Sequence, residues 1–136
     1  LQTNKVKIAL NLFHCIQSID RIKLVNEISK CISKIKPKTK KFYIQVNIGR
    51  ESQKSGVYPE YLKELYDLCF EKKLNVHGLM CIPPIDRPCE DYFNEMKSIR
   101  DGLNPNLLLS MGMSNDYKIS LECGSNLIRV GSKIFR

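Results

Sequence analysis

Apolar residues recur along the chain with two alternating periods, one typical of helices and one typical of strands. A spacing of three to four residues predicts five amphipathic helices, which begin near Asn4, Asp20, Pro59, Asp86 and Ser114 or Asn115. Short apolar runs and strict alternation predict five strands, at residues 15–19, 42–48, 74–82, 107–109 and 127–130. The helix-like and strand-like segments alternate from one end of the chain to the other.

This alternation predicts a parallel α/β sheet with right-handed crossovers. The segment 42–48 shows how such a strand is placed, because Phe42 and Ile44 fall on one face while Tyr43 and Gln45 fall on the other. We expect the apolar face to lie under helices and the polar face to turn inward. Five such units suit either an open doubly wound sheet or part of a (β/α)8 barrel, whose usual size is about 250 residues.

Composition supports a single globular domain with no membrane partner. The 136 residues are 43% hydrophobic and 26% charged, and no apolar run approaches the length of a membrane span. The net charge is +8, but much of the excess lies in lysines between Lys30 and Lys41. These lysines are not interleaved with aromatic residues and do not form a recognition helix, so we expect no nucleic-acid partner.

The six cysteines are spread widely, and no two have the Cys-x-x-Cys spacing of a metal or redox site. Most of them occupy positions where an apolar residue is expected. We therefore expect reduced core cysteines, no metal site and a cytoplasmic location.

Small residues follow the last two predicted strands. Residues 110–114 read Ser-Met-Gly-Met-Ser, and Gly131-Ser132 follow residues 127–130. Such loops can direct several backbone N–H groups at one anion, because glycine adds no Cβ and serine adds a hydroxyl. In a (β/α)8 barrel the loops after strands 7 and 8 commonly hold a phosphate group. If the last two predicted strands are strands 7 and 8 of such a barrel, the pattern predicts one phosphate site between two neighbouring loops.

Several segments also carry a family resemblance. Residues 109–116 (LSMGMSND), 122–125 (ECGS) and 128–135 (IRVGSKIF) resemble the YggS/PROSC family of pyridoxal phosphate homeostasis proteins. Further segments agree in the same order: LQTNK at 1–5, SID at 18–20, QVNI at 45–48, ESQKSG at 51–56 and GLMCIP at 78–83. Two positions depart from the family pattern, Asn126 where threonine is usual and Arg136 where glycine is usual.

The resemblance implies a parallel (β/α)8 TIM barrel of the alanine racemase N-terminal type. Residues 1–136 would be the C-terminal part of that single cofactor-binding domain and supply about strands four to eight. The cofactor implied is pyridoxal 5′-phosphate (PLP), and the residues implied around its phosphate and ring are Ser110, Met113, Ser114, Gly131 and Ser132. Arg129 would direct its guanidinium at the pyridine nitrogen.

Arg129 suits that role on physical grounds. A guanidinium keeps its charge and has no acceptor, so it disfavours a proton on a ring nitrogen beside it. The alternative is a barrel arginine held in a salt bridge.

The resemblance places the lysine that bonds the cofactor aldehyde ahead of Leu1, and it does not transfer that role to Lys5, Lys54 or Lys133. It implies a monomeric protein that holds PLP and supplies it to client enzymes without turnover. An amino-acid racemase is the alternative, but it needs a second acid/base residue from a β-rich region, and none follows Phe135. A phosphate-binding barrel for another ligand is the third possibility.

Overall fold

Helices and strands alternate in the computed structural model, which describes residues 1–135; Arg136 and its departure from the family pattern lie outside them. The strands are β1 (Cys15–Ile19), β2 (Lys41–Val46), β3 (Val76–Cys81), β4 (Leu108–Met113) and β5 (Leu127–Arg129). The helices are α1 (Val6–Leu12), α2 (Ile22–Ile32), α3 (Leu62–Glu71), α4 (Cys89–Leu103) and α5 (Tyr117–Glu122), with 3-10 turns at Thr3–Lys5 and Pro59–Tyr61. All ten predicted elements are present.

The order of the strands decides between the two predicted architectures. The five strands are parallel and neighbour one another in the sequence order β1-β2-β3-β4-β5. A doubly wound sheet reverses its strand order at a switch point, whereas a barrel adds each strand beside the last. The fold is therefore an α/β half-barrel, and the doubly wound alternative is wrong.

The two faces of the sheet differ as the alternation in β2 predicts. Phe42, Ile44 and Val46 are buried in the core that the strands share with the helices. The opposite face is called the inner face below. On this face the pairing of β2 with β3 places Tyr43 beside Gly78 and Gln45 beside Met80. Polar side chains from neighbouring strands therefore meet on the inner face.

The amphipathic helices cover the outer face of the sheet with their buried stripes. The buried residues of α1, α2 and α4 are Val6, Ala9, Leu10, Leu24, Val25, Ile28, Tyr92, Phe93 and Met96. Each large apolar side chain buried in this way stabilises the fold by about 1.5–3 kcal/mol. Within residues 1–135, no helix is both long enough and apolar enough to cross a membrane.

The predicted helix caps at Asn4, Asp20 and Ser114 or Asn115 are not formed. None of the helices α1, α2 and α5 has a side-chain hydrogen bond that caps its N-terminus. The Asp20 carboxylate instead accepts a hydrogen bond from the Gly56 N–H at 3.2 Å, so it fixes the loop that follows β2.

The six cysteines are free thiols, and all except Cys15 lie in or beside the core. Burial raises the pKa of the Cys69 and Cys81 thiols to about 12, so both stay protonated at neutral pH. No group of three or more metal-binding side chains occurs in the described part of the chain.

Strand β4 is longer than the sequence pattern predicts. The prediction ended the strand at Leu109 and began a loop at Ser110, whereas the strand continues to Met113. It continues because Met111 is fully buried in the core and its carbonyl accepts a hydrogen bond from Ser125 Oγ at 2.7 Å. Gly112 accommodates the irregular pairing with a φ of +103°.

We expect the substitution Gly112→Ala to lower the free energy of unfolding by about 2 kcal/mol or more, because it combines positive-φ strain with a clash. An added Cβ would lie 2.7 Å from Ser120 Cβ. Gly102→Ala in α4 is the control, since a Cβ there meets nothing within 4 Å, and it should stabilise the helix by roughly 0.5–1 kcal/mol. Urea denaturation at one protein concentration measures both. Equal effects of the two substitutions would contradict the assigned geometry of β4.

Candidate functional site

The two Ser/Gly segments lie side by side at the carboxyl ends of β4 and β5. The strands pair with Met113 beside Arg129. Beyond that pair, the hydroxyl oxygen of Ser114 accepts hydrogen bonds from the N–H groups of Gly131 and Lys133, each at 3.3 Å. The prediction that the two loops are neighbours is confirmed.

A pocket of about 470 Å³ opens between these loops and is lined by Ser114, Asn115, Ser132, Lys133 and Phe135. Its polar groups include two hydroxyls, an amide and a lysine ammonium. A Cβ added at Gly131 would meet nothing within 4 Å, so the backbone there is open to close approach. Helix α5 has six residues, and the donor groups come from the loops that follow the strands.

Arg129 extends over the inner face from the end of β5. One guanidinium nitrogen donates to Ser110 Oγ at 2.6 Å and the other donates to the Cys81 carbonyl at 2.9 Å. Within residues 1–135 no carboxylate lies within 4.0 Å of the guanidinium, so the salt-bridged alternative is not found there. Burial lowers the pKa of Arg129, and the charge of the Asp116 carboxylate opposes that shift. The guanidinium still keeps its charge at neutral pH.

Ser110 lies under the guanidinium and is not one of the residues that line the pocket. Its side chain is fully buried and donates its own proton to Gln17 Oε1 at 2.6 Å. Met113 ends β4 and is 44% exposed, and its N–H donates to Asp116 Oδ1 at 2.6 Å. The predicted residues thus divide into a loop group (Ser114, Gly131 and Ser132) and an inner-face group (Ser110 and Arg129), with Met113 between them.

No protein-family model matches the chain. The pyridoxal phosphate homeostasis protein of Aquifex aeolicus is 40% identical over 99% of this chain and 63% of its own length. The structure of PipY from Synechococcus elongatus without PLP superposes with a TM-score of 0.88 at 29% identity, over 100% of this chain and 67% of PipY. Along its whole length, the chain is similar to pyridoxal phosphate homeostasis proteins.

Two other solved structures extend the comparison. PipY with PLP bound gives a TM-score of 0.81 at 28% identity, again over 100% of this chain and 67% of PipY. An alanine racemase of Clostridium difficile gives 0.68 at 11% identity, over 99% of this chain and 37% of the racemase. The racemase comparison shows the TIM-barrel type of fold alone. The chain spans about 63% of the length of its Aquifex relative.

The structure places the three lysines considered in the sequence, Lys5, Lys54 and Lys133, in different surroundings. Lys5 lies in the first 3-10 turn. Lys54 Nζ lies 2.8 Å from Glu51 Oε1, as an ion pair without hydrogen-bond geometry. Lys133 Nζ lies 5.2 Å from the centre of the Tyr117 ring. Of the three, only Lys133 borders the pocket.

The residues present fit a phosphorylated pyridine cofactor. The loops offer hydroxyl and N–H donors around an open glycine, which suits a phosphate group. The Arg129 side chain has five N–H groups and two are engaged, so donors remain for a ring nitrogen.

Sequence reasoning missed Gln17, the Cys81 carbonyl and Asp116 as neighbours of the site. Gln17 gave a usable signal, because it is a polar residue in a short strand, as Gln45 is in β2. The Cys81 carbonyl gave none, because a backbone carbonyl carries no side-chain signal. Asp116 lies in the segment 109–116 that carries the resemblance, but no role at the site was inferred for it.

We expect Ser110→Ala to lower the free energy of unfolding by about 1–3 kcal/mol, because it leaves an Arg129 N–H and the Gln17 carbonyl without their partner. Ser18→Ala is the matched control, since Ser18 lies on β1 and makes no side-chain hydrogen bond within residues 1–135. It should change stability by no more than about 0.5 kcal/mol. Urea titration of both variants tests this, and an equal loss in the two would contradict the buried link through Ser110.

Proposed function

We propose that this chain forms the phosphate-and-ring side of a PLP-binding site. In this proposal residues 1–136 are the C-terminal part of a single barrel domain. The observation that carries it is the juxtaposition of an open loop pocket with Arg129, a charged side chain that has no carboxylate partner within the described residues. A ligand with an anionic group at one end and a nitrogen acceptor at the other would match both features.

The loop group binds the phosphate. The hydroxyls of Ser114 and Ser132 would donate to its oxygens. The N–H groups of Gly131 and Lys133, which now donate to Ser114 Oγ at 3.3 Å, would be further donors for the anion. Gly131 lets the phosphate approach the backbone, and the Lys133 ammonium adds a positive charge at the rim.

Arg129 controls the ring nitrogen. PLP supplies an electron sink for reactions of amino acids, and the sink is strongest when the ring nitrogen is protonated. The Arg129 guanidinium would donate a hydrogen bond to the ring nitrogen and does not give up a proton, so it would keep that nitrogen unprotonated. The residue therefore favours storage of the cofactor over turnover.

For the whole protein we propose that it holds PLP and delivers it to client enzymes without turnover of its own. The homeostasis name of the Aquifex relative supports this role. The free state of all six cysteines suits the reducing cytoplasm. The resemblance carries the further expectation of a monomer.

We expect the chain to bind PLP weakly and without a covalent bond, with the phosphate supplying most of the affinity. Titration followed by ³¹P NMR should show that inorganic phosphate competes with PLP. Pyridoxal, which lacks the phosphate, should bind at least about tenfold more weakly, equivalent to ~1.4 kcal/mol.

Gly131→Val tests the position of the phosphate. An added Cβ there meets nothing within 4 Å, so we expect the fold to stay intact. It should weaken PLP binding by about tenfold, whereas the distant Gly102→Ala should leave binding unchanged. Equal binding of PLP and pyridoxal, or normal binding by Gly131→Val, would contradict the proposal. A borohydride-trapped adduct on a lysine of this chain would contradict its non-covalent part.

A further inference from the structure

We infer that Gln17 is a positioning residue, which holds the Arg129 guanidinium at the ring end of the site through the Ser110 hydroxyl. The hydrogen bonds that form this link are present in the chain itself. The effect of the link on PLP binding rests on the proposed function.

The direction of the hydrogen-bond chain follows from the chemistry of its members. A guanidinium can only donate, so Ser110 Oγ must accept from Arg129 at 2.6 Å. The single hydroxyl proton of Ser110 is then free to be donated, and Gln17 Oε1 lies 2.6 Å away. The chain therefore ends at a carbonyl oxygen, and a side chain without an acceptor at position 17 would break it.

The three residues come from separate strands of the sheet. Gln17 lies on β1, Ser110 on β4 and Arg129 on β5, and the link crosses the inner face past β2 and β3. The long arginine side chain has many rotamers in isolation, and each fixed acceptor removes some of that freedom. The Cys81 carbonyl holds one guanidinium nitrogen, and the link from Gln17 holds the other.

A neutral amide is suited to this position. A carboxylate in place of the Gln17 amide would pair with Arg129 and offset its charge, whereas a glutamine orients Ser110 without adding charge.

The direct test is NMR of the full chain labelled with ¹⁵N-arginine, with the Arg129 signals assigned from an Arg129→Lys variant. Gln17→Met keeps the length of the side chain and removes the acceptor. We expect it to shift the Arg129 side-chain resonances and to speed their exchange with water. Gln45→Met is the matched control, because Gln45 lies on the inner face of β2 and makes no side-chain hydrogen bond within residues 1–135. It should leave the Arg129 resonances in place.

Gln17→Glu restores an acceptor and should return slow exchange to the Arg129 N–H groups. A mere loss of stability at position 17 would not be rescued in this way. Arg129 resonances that are the same in the wild-type chain and in Gln17→Met would overturn the inference.

Binding measurements separate this inference from the proposed function. Gln17→Met should weaken PLP binding by about fivefold and leave inorganic phosphate binding unchanged, because the phosphate loops are untouched. In an Arg129→Leu background the same substitution should have no further effect on PLP binding. Failure of the wild-type chain to bind PLP would contradict the proposed function, and the NMR comparison would still decide the role of Gln17. Additive effects of the two substitutions would overturn the positioning role.

Discussion

The pairing of β4 with β5 is the interaction on which the rest of the site depends. Because the two strands are parallel and Met113 lies beside Arg129, both strands end at the same edge of the sheet. The loop after β4 and the loop after β5 are therefore held within hydrogen-bond distance, as Ser114 and Gly131 show. The same pairing places the Arg129 side chain over the inner face, where its guanidinium donates hydrogen bonds to Ser110 Oγ and the Cys81 carbonyl.

The architecture could be predicted from the sequence because it depends on local periodicity. Alternating helix and strand patterns gave all ten elements, and the clean alternation in β2 correctly turned Tyr43 and Gln45 away from the helices. Periodicity could not distinguish a half-barrel from a doubly wound sheet, since that choice depends on which strands are neighbours. The sequential strand order resolved it.

The geometry of the candidate site could be predicted only in part, because it also depends on which distant segments are neighbours. Serine and glycine in residues 110–114 read as a loop, but β4 continues because β5 pairs with it and the core takes up Met111. The link between Gln17 and Ser110 joins residues 93 positions apart. No local sequence pattern predicts a contact between residues so far apart in the chain. The resemblance implied that Ser110 and Arg129 are site residues, without indicating that Arg129 donates a hydrogen bond to Ser110.

The arrangement suggests how a barrel related in fold to racemases can serve for storage. Binding of an anion needs the loops, and both loops are present. Chemistry on the bound cofactor would need a protonated ring, and the proposed position of Arg129 opposes that. In this proposal the loops after β4 and β5 supply the affinity for the phosphate, and Arg129 at the end of β5 limits chemistry on the ring. Gln17 holds the Arg129 guanidinium in place through Ser110.

The proposed site can be tested with a crystal structure of the full chain soaked with PLP. We expect phosphate density between Ser114 and the Gly131-Ser132 backbone, with the ring nitrogen within hydrogen-bond distance of the Arg129 guanidinium. Phosphate density elsewhere on the chain, or a ring turned away from Arg129, would contradict it.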